Sequence, residues 1–225
     1  MGTFGKENRD IMAQNIQQQI RQLILLSCEA LKKDTLDKGV WIANDEGAIT
    51  YRLVEFYLNN NEFRRKNNLS LLVRFQIETP VNFQPMNNNY LGRADIRIVG
   101  MNYLQNGTSL GLIECKRLDG GAVLKREYVK EGIDRFTGVI AGCVKYPRSN
   151  WDMMIGYQVA LMQFDVMLKE LNQYLKKKMK SAVMKELTFC KSGNDWTECV
   201  STFRCIDGKE RPIGHLFYDF AGIIQ

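Results

Sequence analysis

Apolar residues recur at helical spacing over residues 9–33, where Ile16, Ile20, Leu23, Ile24 and Leu31 are separated largely by Gln and Arg. The spacing predicts an amphipathic helix within residues 1–40 that packs on the domain or forms a dimer contact. A second helix is expected to begin at Asn44 or Asp45, either of which can cap it. Glu46 then lies in the first turn, where the helix dipole favours a carboxylate. Ile49, Leu53 and Phe56 supply its apolar stripe. Glu55 lies nine positions from Glu46 and, at about 100° per residue, faces the other side.

Further along, the period shortens. Residues 69–77 read as a strand, and two prolines and four asparagines mark residues 80–90 as a connecting loop. Residues 94–99 and 110–116 read as the two strands of a hairpin whose tip is Gln105-Asn106-Gly107-Thr108. After the turn Asp119-Gly120-Gly121, a helix is expected over 124–136 and a loop over 138–150. Ile155, Val159, Met162, Val166 and Leu171 then predict a long helical stretch, whole or broken, over 151–187. Two late strands near 202–205 and 215–220 complete a sheet. This order predicts a mixed α/β domain over residues 41–225.

Alternation on the hairpin also sorts its chemistry. If the tip holds an even number of residues, Asp95, Glu114 and Lys116 share one face, and Ile96, Ile98, Ile113 and Cys115 share the other. Charges held on a half-buried strand face are costly unless they are paired or bind a metal. Asp95 and Glu114 offer hard oxygen ligands suited to Mg²⁺, with Mn²⁺ as a substitute, and the Cys115 backbone carbonyl adds a third donor. Its thiol is expected to point away. Lys116 stands where it can orient or help deprotonate an attacking water and offset charge in a phosphoryl transition state. The reaction class is metal-assisted phosphodiester hydrolysis.

Asp95, Glu114 and Lys116, in Gly-Arg-Ala-Asp-Ile-Arg-Ile and Leu-Ile-Glu-Cys-Lys, resemble the signature of the PD-(D/E)XK nuclease superfamily over roughly residues 44–140. The family's proline before the aspartate is Ala94 here, and a Gln-x-x-x-Tyr element of the RecB-like branch is absent. The resemblance implies a restriction-endonuclease-like central mixed sheet flanked by helices. It implies that Glu46, the first-helix acid, joins the catalytic and metal site. It also implies that Arg135, on the helix after the active-site strand, faces phosphate. Lys145 and Arg148 in the next loop are further candidates for nucleic-acid contact. By analogy the activity is an endonuclease of bacterial or phage defence. DNA is the expected substrate, and the motif leaves RNA open. Cutting both strands favours a homodimer. The rival expectation is a catalytically silent nucleic-acid-binding or interaction module on the same fold.

Composition adds little. The formal charge of +6 weakly favours an anionic partner. The six cysteines contain no CxxC pair, and the chain is large enough to fold without a disulfide framework. The first residues lack a signal-peptide stretch, and no run reaches the roughly 20 apolar residues that span a bilayer, so a cytoplasmic protein without membrane contact is expected. Cys190, Cys199, Cys205 and His215 match no zinc-finger spacing, so no zinc is expected, and His215 reads as a hydrogen-bonded core or edge residue. The lysines at 176–178 and 180 read as a solvated helix face.

Overall fold

The computed structural model describes residues 3–69, 73–84, 89–100 and 109–225, the side chains of 3–13 and 83 excepted. Its strands are β1 (Val73–Gln84), β2 (Asn89–Gly100), β3 (Ser109–Leu118), β4 (Trp151–Gln158), β5 (Val183–Ser192), β6 (Trp196–Arg204) and β7 (Glu210–Asp219). They form one mixed sheet in the order β1-β2-β3-β4-β7-β6-β5. The central trio β3, β4 and β7 is parallel and the outer pairs are antiparallel.

Helices cover both faces. On one face α1 (Thr3–Lys38) and α2 (Glu46–Leu53) pack Ile20, Leu23, Ile24, Cys28, Leu31, Ile49 and Leu53 against Ile113, Ile155 and Leu216 of the sheet. The N-terminal helix is therefore part of the domain core. α3 (Asn61–Lys66) follows α2. On the opposite face lies a segment made of α4 (Ala122–Glu127), a π-helical stretch Tyr128–Ile133 and α5 (Asp134–Thr137), together with α6 (Phe164–Met179). Tyr128, Val129, Ile133, Met167 and Leu171 meet Leu112, Met154 and Phe217 there.

Three sequence expectations need correction. Residues 151–187 are a strand, a helix and another strand. Every residue of β4 is buried, and a central parallel strand covered on both faces carries a near-continuous apolar run that periodicity cannot tell from helix. Residues 80–90 are not simply a loop, because β1 and β2 stay paired through Pro80↔Arg93 and Gln84↔Asn89. Pro80 is tolerated because β1 lies at the edge of the sheet, where proline within sheets is ordinarily found. Phe56 is not part of the buried stripe. After Leu53 the helix widens to a π turn, Val54–Leu58, which rotates the inward face onto Val54, Tyr57 and Leu58 and leaves Phe56 58% exposed. Glu55 is exposed, as expected. The predicted hairpin tip at 105–108 lies outside the described residues.

Candidate active site

β2 and β3 pair at Ile96↔Ile113, Arg97↔Leu112 and Ile98↔Gly111, so odd positions oppose even ones. Beyond Ile96 no further ladder pair forms on that side, and the Asp95 carboxylate accepts the Cys115 backbone N–H at 2.7 Å. Ile113 and Cys115 enter the core under α1 and α2, whereas Leu112 and Leu118 enter the core under α4 and α6. Glu114 and Lys116 project to the second side between those two leucines. The Cys115 thiol accepts the Tyr157 hydroxyl at 3.2 Å on the first side, pointing away from the acids as parity requires.

Glu46 arrives from the other helical layer. Asp45 caps α2 by accepting the Ala48 N–H at 2.8 Å, which fixes the first turn and aims Glu46 at the place where β2 and β3 part. Glu46 Oε1 lies 2.8 Å from Lys116 Nζ. Lys116 Nζ is also 2.7 Å from Glu114 Oε1 and 3.7 Å from Asp95 Oδ2, and it donates to the Cys115 carbonyl at 2.7 Å. All four residues singled out in the sequence therefore meet, with the ammonium at their focus. Gly132 lets the π-helical stretch pass close by, since a Cβ there would lie 2.4 Å from Met154 Cε and 3.6 Å from Lys116 Cγ.

Two further side chains complete the cluster. Arg135, which the resemblance aims at phosphate, has its Nε 3.2 Å from Glu114 Oε1. Tyr146 was missed by the sequence reading. Its hydroxyl lies against Glu114 Oε2 and 2.7 Å from the Arg93 carbonyl, and its one proton serves both acceptors. Arg135 Nη1 donates to the Tyr146 hydroxyl and to the Arg93 carbonyl, each at 3.0 Å. A lone tyrosine in a loop carries no periodic signal, so only the folded arrangement identifies it. Of the other two predicted basic contacts, Lys145 is half-buried with its Cβ beside Gly92. Arg148 is held at the β6–β7 turn by Asp207 at 3.2 Å and the Glu210 carbonyl at 2.9 Å.

The electrostatics follow from burial. Glu114 is fully buried, and desolvation, reinforced by the Asp95 charge and opposed by Lys116 and Arg135, pushes its carboxyl up to about 8. Burial also raises the Glu46 pKa, against the pull of Lys116. For Lys116 burial acts downward, but Glu114, Asp95 and Glu46 together outweigh it and hold the amine above its ordinary value. The group is thus an ammonium at neutral pH. Glu114 Oε1 has two cations close by, yet neither reaches it along a hydrogen-bond direction.

These donors suit a hard divalent cation in kind and in charge. Three carboxylates face two cationic side chains, an excess of one negative charge when all are ionised, and the Cys115 carbonyl adds a neutral oxygen. Among the described residues no three His, Cys, Asp or Glu side chains form a ready metal cage. The Lys116 ammonium holds the central position instead. The open side of Glu46 and Asp95 is a cleft of about 600 Å³.

The C-terminal cysteines and histidine lie elsewhere. His215 is fully buried, with Nδ1 2.9 Å from the Tyr128 hydroxyl and Nε2 2.7 Å from Ser201 Oγ. Burial lowers its pKa to about 3. Cys199 is its register partner on β6, Cys205 donates to the Phe136 carbonyl at 3.7 Å, and Cys190 is exposed on β5. No helix among the described residues is long and apolar enough to cross a membrane. No protein-family model, curated protein or solved structure matches this chain.

Proposed function

We propose that this protein is a metal-dependent phosphodiesterase, an endonuclease of the PD-(D/E)XK type acting on nucleic acid, with DNA as the expected substrate. The observation that carries the reading is the convergence of Glu46, Asp95 and Glu114, from three separate elements, on one buried ammonium where β2 and β3 part. A purely structural ion pair needs one carboxylate for one ammonium, and surplus buried acid costs folding free energy. Sites that keep such a surplus are candidates for chemistry.

Asp95, Glu114 and the Cys115 carbonyl, with Glu46 as a further ligand, would hold Mg²⁺ or Mn²⁺. When bound, the cation would supply Lewis-acid polarisation of a phosphoryl oxygen. Lys116, kept protonated by its neighbours, donates hydrogen bonds to the attacking water and offsets charge on the pentacoordinate transition state. With those neighbours ionised, Lys116 is a donor to that water rather than the base that takes its proton. Glu46, 31% exposed and lining the cleft, is the carboxylate best placed to accept it. Arg135 and Tyr146 fix the Glu114 carboxylate so that its orientation costs no reorganisation during the reaction.

One observation favours a catalytically silent binding module on the same scaffold: Lys116 already fills the focus of the acids, so the cluster is close to neutral by itself. Cleavage of supercoiled plasmid and of single-stranded DNA in Mg²⁺ separates the two. Activity that vanishes with EDTA, with Asp95→Ala and with Lys116→Ala supports the nuclease. Cleavage that persists in Asp95→Ala, or is absent from the wild type in Mg²⁺ and in Mn²⁺ alike, leaves the silent module as the better account.

A further inference from the structure

The cleft beside the acids has two unlike halves. Glu46, Asp95 and Glu78 give it carboxylates, whereas Ala48, Ile77 and the ring of Tyr51 give it an apolar wall. Tyr51 is 56% exposed, five residues beyond Glu46 on the same helix, about 1.4 turns. A single exposed aromatic residue is ordinary on a protein surface. Its position here is not, because the ring shares a wall with two of the carboxylates that would act on a phosphodiester.

The charge on this wall matters as much as the ring. None of the described residues lining the cleft is Lys or Arg, and Arg93 on the β1–β2 ribbon is paired with the lining Glu78 at 3.1 Å. A surface built to follow the phosphates of a continuous duplex carries a basic stripe, since phosphate contacts dominate that kind of affinity. This cleft carries no such stripe: its carboxylates already hold the single Lys116 ammonium, 2.8 Å from Glu46, and beside them stands an aromatic face. Such a face gains contact energy from the flat side of a base, about 1–3 kcal/mol per stacked base. In an intact duplex that side is covered by neighbouring base pairs. The cleft volume of about 600 Å³ lies within the range of roughly 300–1,000 Å³ typical of small-ligand sites.

We propose that the cleft receives an unpaired nucleobase stacked on Tyr51, so that the favoured substrate is single-stranded or locally unpaired nucleic acid. The inference rests on the nuclease reading of the adjoining acids, and it makes Tyr51 a substrate-positioning residue outside the carboxylate cluster.

Fluorescence anisotropy of the full chain with a short fluorescein-labelled single-stranded DNA, in Ca²⁺ to hold back turnover, tests it. Tyr51→Ala is expected to weaken binding by about 5- to 150-fold, the equivalent of one stacked base. Tyr51→Phe keeps the ring and stays within about twofold of wild type, by the same reasoning. The perfectly paired duplex of the same sequence binds more weakly than the single strand, and the melting temperature of Tyr51→Ala matches wild type because the side chain is exposed. Equal binding by Tyr51→Ala and wild type, equal or tighter binding of the duplex, or no binding of single strand by wild type overturns the proposal. Plasmid and oligonucleotide cleavage in Mg²⁺ is scored separately. Loss of Tyr51-dependent binding with cleavage intact defeats the stacking inference alone, and intact Tyr51-dependent binding without cleavage defeats the nuclease reading alone.

Discussion

The Asp95 carboxylate accepts the backbone N–H of Cys115 at 2.7 Å, in a place where a regular antiparallel ladder would put another backbone carbonyl. A side chain thus satisfies the donor that β2 abandons as it leaves β3. The opening it creates admits Glu46 from one helical layer to Lys116, whose side chain lies on the other side of the strand.

Lys116 is the counter-charge for that opening. Lys116→Ala leaves three carboxylates without their ammonium and is expected to cost about 3–5 kcal/mol of stability, as for a broken buried ion pair. A divalent cation should restore part of this, about 2.7 kcal/mol at a hundredfold excess over its dissociation constant. Thermal melts with and without Mn²⁺ check it, and a cation-induced rise no larger in Lys116→Ala than in wild type would contradict the assignment of these acids as ligands.

Tyr146→Phe removes the hydroxyl against Glu114 and leaves the ring packed at 5.0 Å from Phe136. Leaving a buried hydrogen-bonding group without its partner costs about 1–3 kcal/mol. Urea unfolding should show a loss of that order, and the cleavage rate should fall by at least about tenfold if Glu114 must be held in one orientation.

Arg211 anchors the loop that delivers Tyr146. It pairs with Asp152 at 2.6 Å and donates to the carbonyls of Phe136, Tyr146 and Pro147 at 2.8, 3.0 and 2.8 Å. Arg211→Ala is expected to destabilise by about 3–5 kcal/mol, because Asp152 stays buried without a counter-charge. The double variant with Asp152→Ala should lose less than the sum of the single losses, measured by chemical denaturation in a double-mutant cycle.

His215 makes stability depend on pH. Its folded pKa, about 3, lies below the unfolded value near 6.5, so the neutral ring is the folded form. The stabilisation is fully present above pH 6.5 and drains away as pH falls toward 3, at about 1.4 kcal/mol per pH unit. Between pH 7 and pH 5 the stability of wild type relative to His215→Asn should therefore drop by about 2 kcal/mol. A difference independent of pH would mean that the ring titrates normally.

The π turn at Val54–Leu58 separates neighbours on one helix. Leu53→Ala should cost about 2–5 kcal/mol, while Phe56→Ala stays within about 0.5 kcal/mol of wild type as an exposed substitution. Equal losses at the two positions would return Phe56 to the buried stripe.

The contrast between these elements shows what was legible in advance. On β3 the alternation of Ile113, Glu114, Cys115 and Lys116 is strict, since one face takes only apolar residues here and the other carries the two charges between Leu112 and Leu118, and the strand's face assignment could be read directly. β4 gave no such signal. Both of its faces are covered, so its buried residues lack alternation, and Ile155 and Val159 mimic a helical stripe. Phe56 was misplaced because a regular 3.6-residue period was extended through a turn that does not keep it. Glu46 was legible as a first-turn acid after the Asp45 cap, but its reach to Lys116 depends on how α2 is seated on the sheet.

By itself, then, the sequence determined which residues on the hairpin face together, that the chain is mixed α/β, and that a helix acid lies upstream of the site. These are consequences of local periodicity and capping, which act within a few residues. Only the tertiary structure decided that three carboxylates meet at one ammonium, that Tyr146 and Arg135 clasp Glu114, and that Tyr51 lines the cleft beside them. Those relationships join positions as far apart as Glu46 and Lys116, or Glu114 and Tyr146, and they arise from the parting of two strands and the docking of a loop, which no local pattern encodes.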